Sequence, residues 1–207
     1  HRHILAKIRG VPGDEGRSAP PRALAGREKE GADIHAEELD TLRGGEVSLR
    51  PPREEDVETV YEWDRDPELA AWNGRAPVSV SLEAARRDYL LRWEDPGVKT
   101  FIIEAEGRPV GLATLYDFRG GGCELGIKIG PEELRGRGYA TEAVRLLVDY
   151  AFQRLGLRVV RGSTLAHNRR MRRVFEKCGF ERVGEGSILS RYDNRRYAEV
   201  FYERRRH

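Results

Sequence analysis

Apolar residues follow two different periodicities along this chain, and together they predict alternating strands and helices. Alternation of apolar and polar residues predicts strands, and apolar positions three or four residues apart predict helices. The predicted strands are 47–50, 100–106, 110–117, 123–130, 158–165, 180–191 and 196–202. The predicted helices are 54–65, 82–93, 139–155 and 168–177. This order predicts one mixed α/β domain that begins near residue 46.

Local signals define the ends of several of these elements. Ser81 precedes the second helix, where its hydroxyl can accept a hydrogen bond from a backbone N–H of the first turn. Gly156 and Gly179 follow the third and fourth helices, and glycine commonly ends a helix in a left-handed conformation. Glu-Gly-Arg-Pro at 106–109 predicts a tight turn between two strands.

A loop rich in glycine and arginine separates the strand at 123–130 from the helix that begins near Tyr139. Residues 135–138 read Arg-Gly-Arg-Gly. Glycines let backbone N–H groups approach an anion, the helix N-terminus adds a positive dipole end, and arginines donate to phosphate oxygens. The pattern predicts a phosphate-binding loop. A solvated basic turn is the alternative, because glycine-rich loops are weak signals by themselves.

Two other phosphate-binding motifs fit this loop less well. The Walker A motif requires Lys-Ser or Lys-Thr after its second glycine, and neither pair follows Gly138. The dinucleotide fingerprint would place Thr141 at its third small position, and no acidic residue lies at the expected distance downstream. The sequence therefore argues against nucleotide hydrolysis and hydride transfer.

Length and composition limit the classes of function further. The chain has 207 residues, enough for one ordinary domain with its own core. Charged residues make up 35% of it, but the net charge is only +2, which argues against a dedicated nucleic-acid binder. Cys123 and Cys178 match no metal-ligand spacing, so no metal site is predicted. With no apolar run of about 18 residues and no signal-peptide pattern, we expect a soluble, cytoplasmic protein.

Residues 1–45 differ in composition from the rest of the chain. They are rich in Gly, Pro, Arg and Glu and carry few large apolar side chains, too few to offset the entropy lost on ordering. We predict a charged, flexible N-terminal tail at 1–45 and a folded domain at 46–207. Within the tail, Ile34, Leu39 and Leu42 form a thin apolar stripe that would allow a short helix at 32–42.

Two segments in the second half of the chain resemble one enzyme family. Residues 135–140, Arg-Gly-Arg-Gly-Tyr-Ala, match an R-x-x-G-x-A signature, and residues 166–180 read A-H-N-R-R-M-R-R-V-F-E-K-C-G-F. In this order they resemble the acyl-CoA loop and the following helix of the GNAT N-acetyltransferases. V-S-L-R-P at 47–51 and A-T-E-A-V-R-L-L-V-D-Y-A-F at 140–152 point to the branch of ribosomal-protein-alanine N-acetyltransferases and their small-molecule relatives. The resemblance extends from residue 47 to about residue 204.

The resemblance implies a fold of the α/β (α+β) class and a place for acetyl-CoA. The GNAT fold is a mixed, mostly antiparallel twisted sheet of six to seven strands with helices on both faces. The strands at 123–130 and 158–165 should splay apart and hold the pantetheine arm between them. By the same resemblance, the pantetheine and acetyl group bind the main chain of Ile127, Lys128 and Ile129, and the pantetheine arm also binds Asn168. The pyrophosphate binds Arg135, Gly136, Arg137, Gly138, Tyr139 and Ala140. The 3′-phosphate binds Arg173, with Arg169, Arg170 and Arg172 as alternatives.

Acetyl transfer to an amine needs a base for the amine proton and a donor for the leaving thiolate. Glu124, at the mouth of the splayed strand, is the predicted base. Many GNAT enzymes use a tyrosine of the last helix as the acid, and the matching residue here is Phe175. Tyr139, Tyr192 and Tyr197 are the candidate replacements. The remaining alternative is that the thiolate leaves with the help of water.

Two functions from different classes follow from the sequence. The first is an acetyl-CoA-dependent N-acetyltransferase, a monomer or homodimer without a metal, in which a primary amine attacks the thioester directly in a ternary complex. The acceptor is a protein N-terminus or a small-molecule amine. The alternative is a catalytically inactive GNAT-shaped module that holds acyl-CoA or RNA, a possibility that the missing tyrosine keeps open.

The segment 64–77 is expected to form part of the wall around the acceptor. Trp63, Trp72 and Trp93 are candidates for lining this wall, although tryptophans at such spacings also pack in cores. The acidic residues of the segment are interrupted by Arg65 and Arg75, so the sequence does not indicate a polyamine acceptor.

Overall fold

The structure, a computed structural model, describes residues 40–190 and 192–207. Its strands are β1 (Leu42–Arg43), β2 (Ser48–Arg50), β3 (Lys99–Ala105), β4 (Arg108–Arg119), β5 (Gly122–Ile129), β6 (Val159–Leu165), β7 (Glu181–Leu189) and β8 (Arg196–Arg205). Its α-helices are α1 (Val57–Asp64), α2 (Pro67–Trp72), α3 (Leu82–Glu94), α4 (Tyr139–Asp149) and α5 (Arg169–Lys177). Short 3₁₀ turns cover Glu54–Asp56 and Glu132–Leu134, and a π-helical turn, Tyr150–Arg154, continues α4.

All eight strands belong to one sheet, in the order β1-β2-β3-β4-β5-β6-β8-β7. Every neighbouring pair is antiparallel except β5 and β6, which are parallel. The predicted mixed, mostly antiparallel sheet is therefore confirmed. The sheet has eight strands rather than the predicted six to seven, because β1 adds a two-residue strand at the edge.

Strand β1 lies in the segment that the sequence assigned to the tail. Leu42 pairs with Leu49 of β2, so the last residue of the helix considered at 32–42 is in a strand. Most of that helix, and most of the predicted tail, lie outside the described residues. Beyond β1, the side chain of Glu142 in α4 accepts hydrogen bonds from the backbone N–H groups of Glu46 (2.9 Å) and Val47 (3.3 Å). The chain from residue 42 onward is thus attached to the sheet and to α4.

Helices cover both faces of the sheet, as predicted. On one face, α4 and α5 pack against the sheet with a large apolar core that includes Phe101, Leu115, Val144, Leu147 and Phe175. On the opposite face, α1 and α3 form a smaller core that includes Val57, Val60, Ala85, Tyr89 and Ile102. No helix in the described residues is both long enough and apolar enough to cross a membrane.

The local signals at the helix ends are confirmed. Ser81 caps α3, since its hydroxyl accepts a hydrogen bond from the N–H of Ala84 at 3.2 Å. Gly156 and Gly179 have left-handed φ angles of 65° and 79° after the third and fourth predicted helices. Helix α2 was not predicted, although Asp66 followed by Pro67 is a typical helix start and Asp66 accepts a hydrogen bond from Glu68 N (3.0 Å).

The two parallel strands separate after a short paired region. β5 and β6 pair at Gly122 with Val159, at Cys123 with Val160 and at Glu124 with Arg161. Beyond these positions, β5 continues to pair with β4 and β6 continues to pair with β8. Residues 125–129 and 162–165 therefore diverge and form the wedge that the resemblance implied. Backbone groups on the facing edges of these strands lack sheet partners across the wedge.

Candidate active site

A cavity of about 790 Å³ opens at this wedge. Residues of β4, β5 and β6 form its middle. The glycine-rich loop, the start of α4 and most of α5 line it on one face of the sheet. Residues of α1, α2, α3 and the loop after α2 line it on the other face. The cavity thus connects a candidate phosphate site to a second chamber on the opposite face, through the gap between the strands.

The glycine-rich loop has the geometry of an anion cradle. Gly136 and Gly138 have φ angles of 78° and 87°, in the left-handed region that favours glycine. Gly138 precedes α4, and this helix has no side-chain cap at its N-terminus. A Cβ atom on Gly138 would meet nothing within 4 Å, so the space over the helix start is open. The first N–H groups of α4 have no intrahelical partners and can bind an anion there.

The side chain of Arg135 holds the loop rather than pointing freely into the cradle. Its guanidinium donates to the carbonyl oxygens of Ile129 (3.1 Å) and Gly130 (2.6 Å), and to the carboxylate of Asp66 (3.1 Å). Only 8% of the side chain is exposed. A phosphate could bind this guanidinium only beside these existing hydrogen bonds or in place of one of them. The structure therefore ties Arg135 to the end of β5 and to the start of α2.

Arg137 and Tyr139 both face Glu106, in the turn between β3 and β4. The Tyr139 hydroxyl donates to Glu106 Oε2 at 2.9 Å, and this hydrogen bond raises the pKa of the tyrosine. Arg137 Nη1 lies 3.9 Å from Glu106 Oε1. Glu106 thus attaches the turn to the start of α4. The Tyr139 hydroxyl is engaged at the outer end of the loop, although the residue lines the cavity.

The N-terminal part of α5 lines the cavity beside the glycine-rich loop. Asn168 caps α5, with its Oδ1 accepting from Met171 N at 3.1 Å, and lines the cavity. Arg169, Arg170 and Arg173 also line it, and all three are exposed. Arg170 is next to the loop, since a Cβ atom on Gly136 would lie 3.7 Å from its guanidinium carbon.

Arg172, the remaining arginine of this group, is directed elsewhere. Its guanidinium donates to the Tyr202 hydroxyl at 3.3 Å and to the Ala166 carbonyl at 3.1 Å. Among the four arginines considered for the 3′-phosphate, it is the one that does not line the cavity.

The middle of β5 presents side chains to both faces of the sheet. Ile127 packs against the core under α4, and Ile129 is buried in that core. Lys128 points to the opposite face, where its ammonium donates to Asp64 Oδ1. Tyr89 donates to the other oxygen, Asp64 Oδ2, at 2.6 Å. Burial lowers the pKa of Lys128, and Asp64 opposes this shift.

A second polar cluster surrounds Tyr116 on β4. Glu124 is opposite Tyr116 in the sheet register and has an exposed fraction of 2%. Its Oε1 lies 3.6 Å from Arg161 Nε. Burial and the nearby carboxylates of Glu124 and Glu199 raise the pKa of Tyr116, while Arg92 opposes the shift. Tyr116, Arg92 and Glu199 line the cavity, whereas Glu124 is not among the described residues that do so.

Phe175 lies in the buried part of α5, with 1% of its surface exposed. Its ring stacks on Tyr202 with centroids 4.8 Å apart. Of the predicted replacement acids, Tyr192 is 57% exposed, and the Tyr197 hydroxyl donates to Asp193. Neither Tyr192 nor Tyr197 is among the described residues that line the cavity.

The polar cavity residues that were not predicted from the sequence include Tyr89, Arg92, Tyr116 and Glu199. Strand periodicity places Tyr116 on the same face as Lys128, because cross-strand partners share a face. The sequence pattern shows which face of the strand Tyr116 occupies, but it does not show which helix packs against that face. Of the three tryptophans, Trp72 and Trp93 line the cavity. Trp63 instead packs over Gly130, where a Cβ atom would lie 2.3 Å from its ring.

Comparison with known proteins identifies the family. Residues 46–181 match the model of the acetyltransferase (GNAT) domain. The chain is 31% identical over 165 residues to the FsC-acetyl coenzyme A-N(2)-transacetylase of Aspergillus fumigatus, covering 74% of this chain and 69% of the relative. It is 28% identical over 141 residues to the spermidine N(1)-acetyltransferase of Escherichia coli, covering 67% and 75%.

A solved structure agrees with the fold. The spermidine N-acetyltransferase from Vibrio cholerae, in complex with CoA and spermine, superposes with a TM-score of 0.71 at 19% identity. The superposition covers 78% of this chain and 96% of that one. The closer likeness to the ribosomal-protein-alanine branch stays a prediction. From the family match over most of the described domain, the chain belongs to the GNAT family of N-acetyltransferases and is an acyltransferase enzyme.

Proposed function

We propose that this enzyme transfers the acetyl group of acetyl-CoA to a primary amine, by direct attack of the amine within a ternary complex. The observation that carries the proposal is the continuous cavity through the wedge between β5 and β6. One side offers an anion cradle, and the other side offers a polar chamber. A thioester in the gap would be reached by an amine from the opposite side, which is the geometry that direct attack requires.

Acetyl-CoA would be bound mainly by backbone groups. The N–H groups from Gly136 to Ala140 take the pyrophosphate at the start of α4. The main chain of Ile127, Lys128 and Ile129 pairs with the pantetheine amides as an added strand would. The carboxamide nitrogen of Asn168 donates to the pantetheine arm, while its oxygen stays on Met171 N.

Charged side chains would supplement these backbone contacts. Arg173 and Arg170 bind the 3′-phosphate and the outer phosphates, since both are exposed and line the cavity. Arg137 adds positive charge outside the loop. Arg135 contributes by fixing the loop through its carbonyl contacts, which hold the cradle open to the phosphates.

The base belongs to the cluster around Tyr116. Glu199 lines the second chamber and can take the amine proton directly or through one water molecule. Glu124, the base predicted from the sequence, lies behind the lining and reaches the amine only through water or a neighbouring side chain. Glu124 is opposite Tyr116 in the sheet, and both carboxylates raise the pKa of Tyr116.

Tyr116 is our candidate for the hydrogen-bond donor to the leaving thiolate, which then takes its proton from water. A Cβ atom on Gly126 would lie 3.7 Å from its ring, so Tyr116 stands beside the wedge where the thioester is expected. Burial raises the pKa of Tyr116, so its hydroxyl keeps its proton near neutral pH and stabilises the thiolate by donating a hydrogen bond. Tyr116 would supply the hydroxyl group that Phe175 lacks.

Thermal unfolding with and without saturating acetyl-CoA tests the co-substrate site. A ligand at a hundredfold excess over its Kd adds about 2.7 kcal/mol to stability, which for this size raises Tm by roughly 5–10 °C. Desulfo-CoA should give a similar shift, and ATP should give a much smaller one. Release of free thiol from acetyl-CoA in the presence of amines then tests transfer. An equal shift with ATP would contradict the acyl-CoA assignment.

The alternative from the sequence, a GNAT-shaped module that binds acyl-CoA without turnover, disagrees with the acyltransferase assignment of the family. It is favoured by Phe175, which has no hydroxyl at the usual position of the acid. A thermal shift with CoA, together with no thiol release across a broad panel of amines, would support this function over acetyl transfer.

A further inference from the structure

Aromatic rings form much of the wall of the second chamber. Trp72 ends α2, Trp93 is in the last turn of α3, and both line the cavity together with Tyr89 and Tyr116. The Trp93 ring stacks on Tyr89, with centroids 5.7 Å apart and planes 7° apart. This stacking orients the Trp93 ring at the wall of the chamber.

Trp72 continues the aromatic wall toward the wedge. Its ring centroid lies 5.4 Å from that of His167, the residue before the α5 cap Asn168. The His167 ring lies in turn 5.6 Å from the ring of Tyr197. Trp72 is 39% exposed, so a large aromatic surface faces the cavity and is available to a ligand. This surface lies beside Asn168, where the pantetheine arm is expected.

The charged side chains of the chamber offset one another. The Lys128 ammonium donates to Asp64. Burial lowers the pKa of Arg75, and the charge of Asp64 opposes this shift. Burial also lowers the pKa of Arg92, and the charges of Asp95 and Asp64 are among those that oppose the shift. Each cation therefore has an anionic group of the protein near it, and a second charged group on an acceptor would have to displace an existing partner.

We infer that the acceptor of this enzyme is a primary monoamine whose body is an uncharged aromatic ring, bound against the rings of Trp72 and Trp93. The inference rests on the proposed acetyl transfer and names its substrate class. Aromatic rings attract one another in stacked and edge-to-face arrangements, in addition to the gain from burying their area. The amine end of such a molecule would point toward Tyr116 and the wedge, and its ring would stay at the wall formed by α2 and α3.

The same chamber disfavours polyamines and amino acids. Each of these acceptors brings a second charged group, which would lose its hydration on entering a partly buried space. The charges of the protein are already matched with one another, so binding that group would also disrupt an existing interaction. An aromatic monoamine brings only the amine, which must be neutral to attack the thioester, and an uncharged ring.

Matched amines test this inference. Phenethylamine and cyclohexylethylamine have similar sizes and the same amine, but only the first has an aromatic face. Thiol release from acetyl-CoA should give a kcat/KM about two- to tenfold higher for phenethylamine, the size expected for one aromatic contact. Two further pairs add a second charge: phenethylamine with phenylalanine, and hexylamine with hexamethylenediamine. In both, the member without the second charge should have a kcat/KM at least about tenfold higher.

Substitutions of the two tryptophans connect the preference to these rings. Trp72→Leu and Trp93→Leu remove an aromatic face and keep an apolar side chain. Each should reduce the ratio of phenethylamine to cyclohexylethylamine, and the double variant should bring it to about one. Trp72→Phe and Trp93→Phe are the matched variants that keep a ring and most of the preference. Leu91→Ala, at an exposed position of the same helix as Trp93, should leave the ratio unchanged.

The thermal shift with acetyl-CoA should persist in all these variants, which shows that the fold and the co-substrate site are intact. A preference that survives in the double variant would overturn binding by these rings. Equal or faster transfer to cyclohexylethylamine, or to the members with a second charge, would overturn the aromatic acceptor and leave acetyl transfer standing.

Failure of the inference is distinguishable from failure of the proposed function. If no amine releases thiol, acetyl transfer fails, and binding decides the inference. Trp72 and Trp93 line the cavity, so their fluorescence in the CoA-loaded protein reports binding of phenethylamine or cyclohexylethylamine. Tighter binding of phenethylamine supports the inference, and equal or no binding of the two amines overturns it.

Discussion

The ring of Phe175 lies directly against Gly162, so that a Cβ atom at position 162 would be 2.5 Å from it. The contact connects α5 to β6, on the side of the wedge where β6 has left β5. Phe175 also packs on Phe180, with ring centroids 5.1 Å apart. A glycine in the strand thus makes room for the aromatic ring at the position where many GNAT enzymes have a tyrosine.

We predict that Gly162→Ala destabilises the protein by about 1–3 kcal/mol, because the added methyl group forces the ring or the strand to move. Denaturant unfolding measures the change. Gly184→Ala is the matched control, since its Cβ atom would lie at an ordinary contact distance of 3.8 Å from Phe201. Equal stability losses in the two variants would contradict the close packing of Phe175 on Gly162.

Gly138→Trp should abolish the thermal shift caused by acetyl-CoA. The new side chain would occupy the open space over the start of α4, where the phosphates are expected. Both the variant and its control, Gly156→Trp, place a side chain at a left-handed φ with nothing within 4 Å. The backbone strain is therefore the same in both variants, and Gly156→Trp should keep the thermal shift caused by acetyl-CoA. A normal shift in folded Gly138→Trp would remove the cradle as the phosphate site.

Glu199→Gln should lower the maximal rate by roughly 10²-fold or more, with a smaller change in the acceptor KM, if Glu199 takes the amine proton. Glu124→Gln is the paired variant. The acetyl-CoA shift should be unchanged in both, since neither residue is in the cradle. If kcat no longer rises with increasing pH in one of the variants, the residue replaced in that variant is the base. Normal pH profiles in both variants would show that water takes the proton.

Tyr116→Phe should lower the maximal rate by roughly 10²-fold and leave acetyl-CoA binding intact, because it removes the donor for the thiolate. Tyr61→Phe is the control. Its hydroxyl donates to the Val80 carbonyl at 2.7 Å, and its loss costs about 1 kcal/mol of stability with no effect on the rate. An unchanged rate in Tyr116→Phe would show that the thiolate leaves with the help of water alone.

Asp56→Asn should destabilise the protein by about 1–3 kcal/mol at pH 7, because the buried Arg50 guanidinium loses one of its two carboxylate partners and keeps Glu104. The two oxygens of Asp56 accept from Arg50 at 2.8 Å each. Burial raises the pKa of Asp56, but the bonds from Arg50 and from the Arg53 N–H outweigh it, and the net pKa is lowered.

The lowered pKa fixes the sign of the pH dependence. A carboxyl whose folded pKa is depressed stabilises the fold above its unfolded pKa, and this contribution is lost as the pH falls through the folded pKa. The stability gap between the wild type and Asp56→Asn should therefore narrow below about pH 4. Glu54→Gln, in an exposed pair with Arg86 at 3.3 Å, should cost less than about 1 kcal/mol at any pH. If the difference in stability between the wild type and Asp56→Asn does not change with pH, it does not arise from the Arg50–Asp56 ion pair.

Much of the fold was readable from the sequence because its signals are local. Strand alternation, the cap at Ser81 and the left-handed glycines at Gly156 and Gly179 depend on a few neighbouring residues. The resemblance supplied the splayed strands. Strand β1 was not predicted, because two residues carry no periodic pattern and pair only when β2 offers its edge. Helix α2 was not predicted either, although its start carries a local signal, Asp66 followed by Pro67.

The sequence by itself determined the order of seven strands and four helices, the glycine-rich loop and the family. Only the tertiary structure decided which side chains share the second chamber. Arg75, Arg92, Tyr116 and Glu199 come from four separate segments, and no sequence spacing connects them. The structure likewise decided that Arg135 binds backbone carbonyls and Asp66. Periodicity tells which face of its own element a residue occupies, but its partners depend on how distant elements pack against that face.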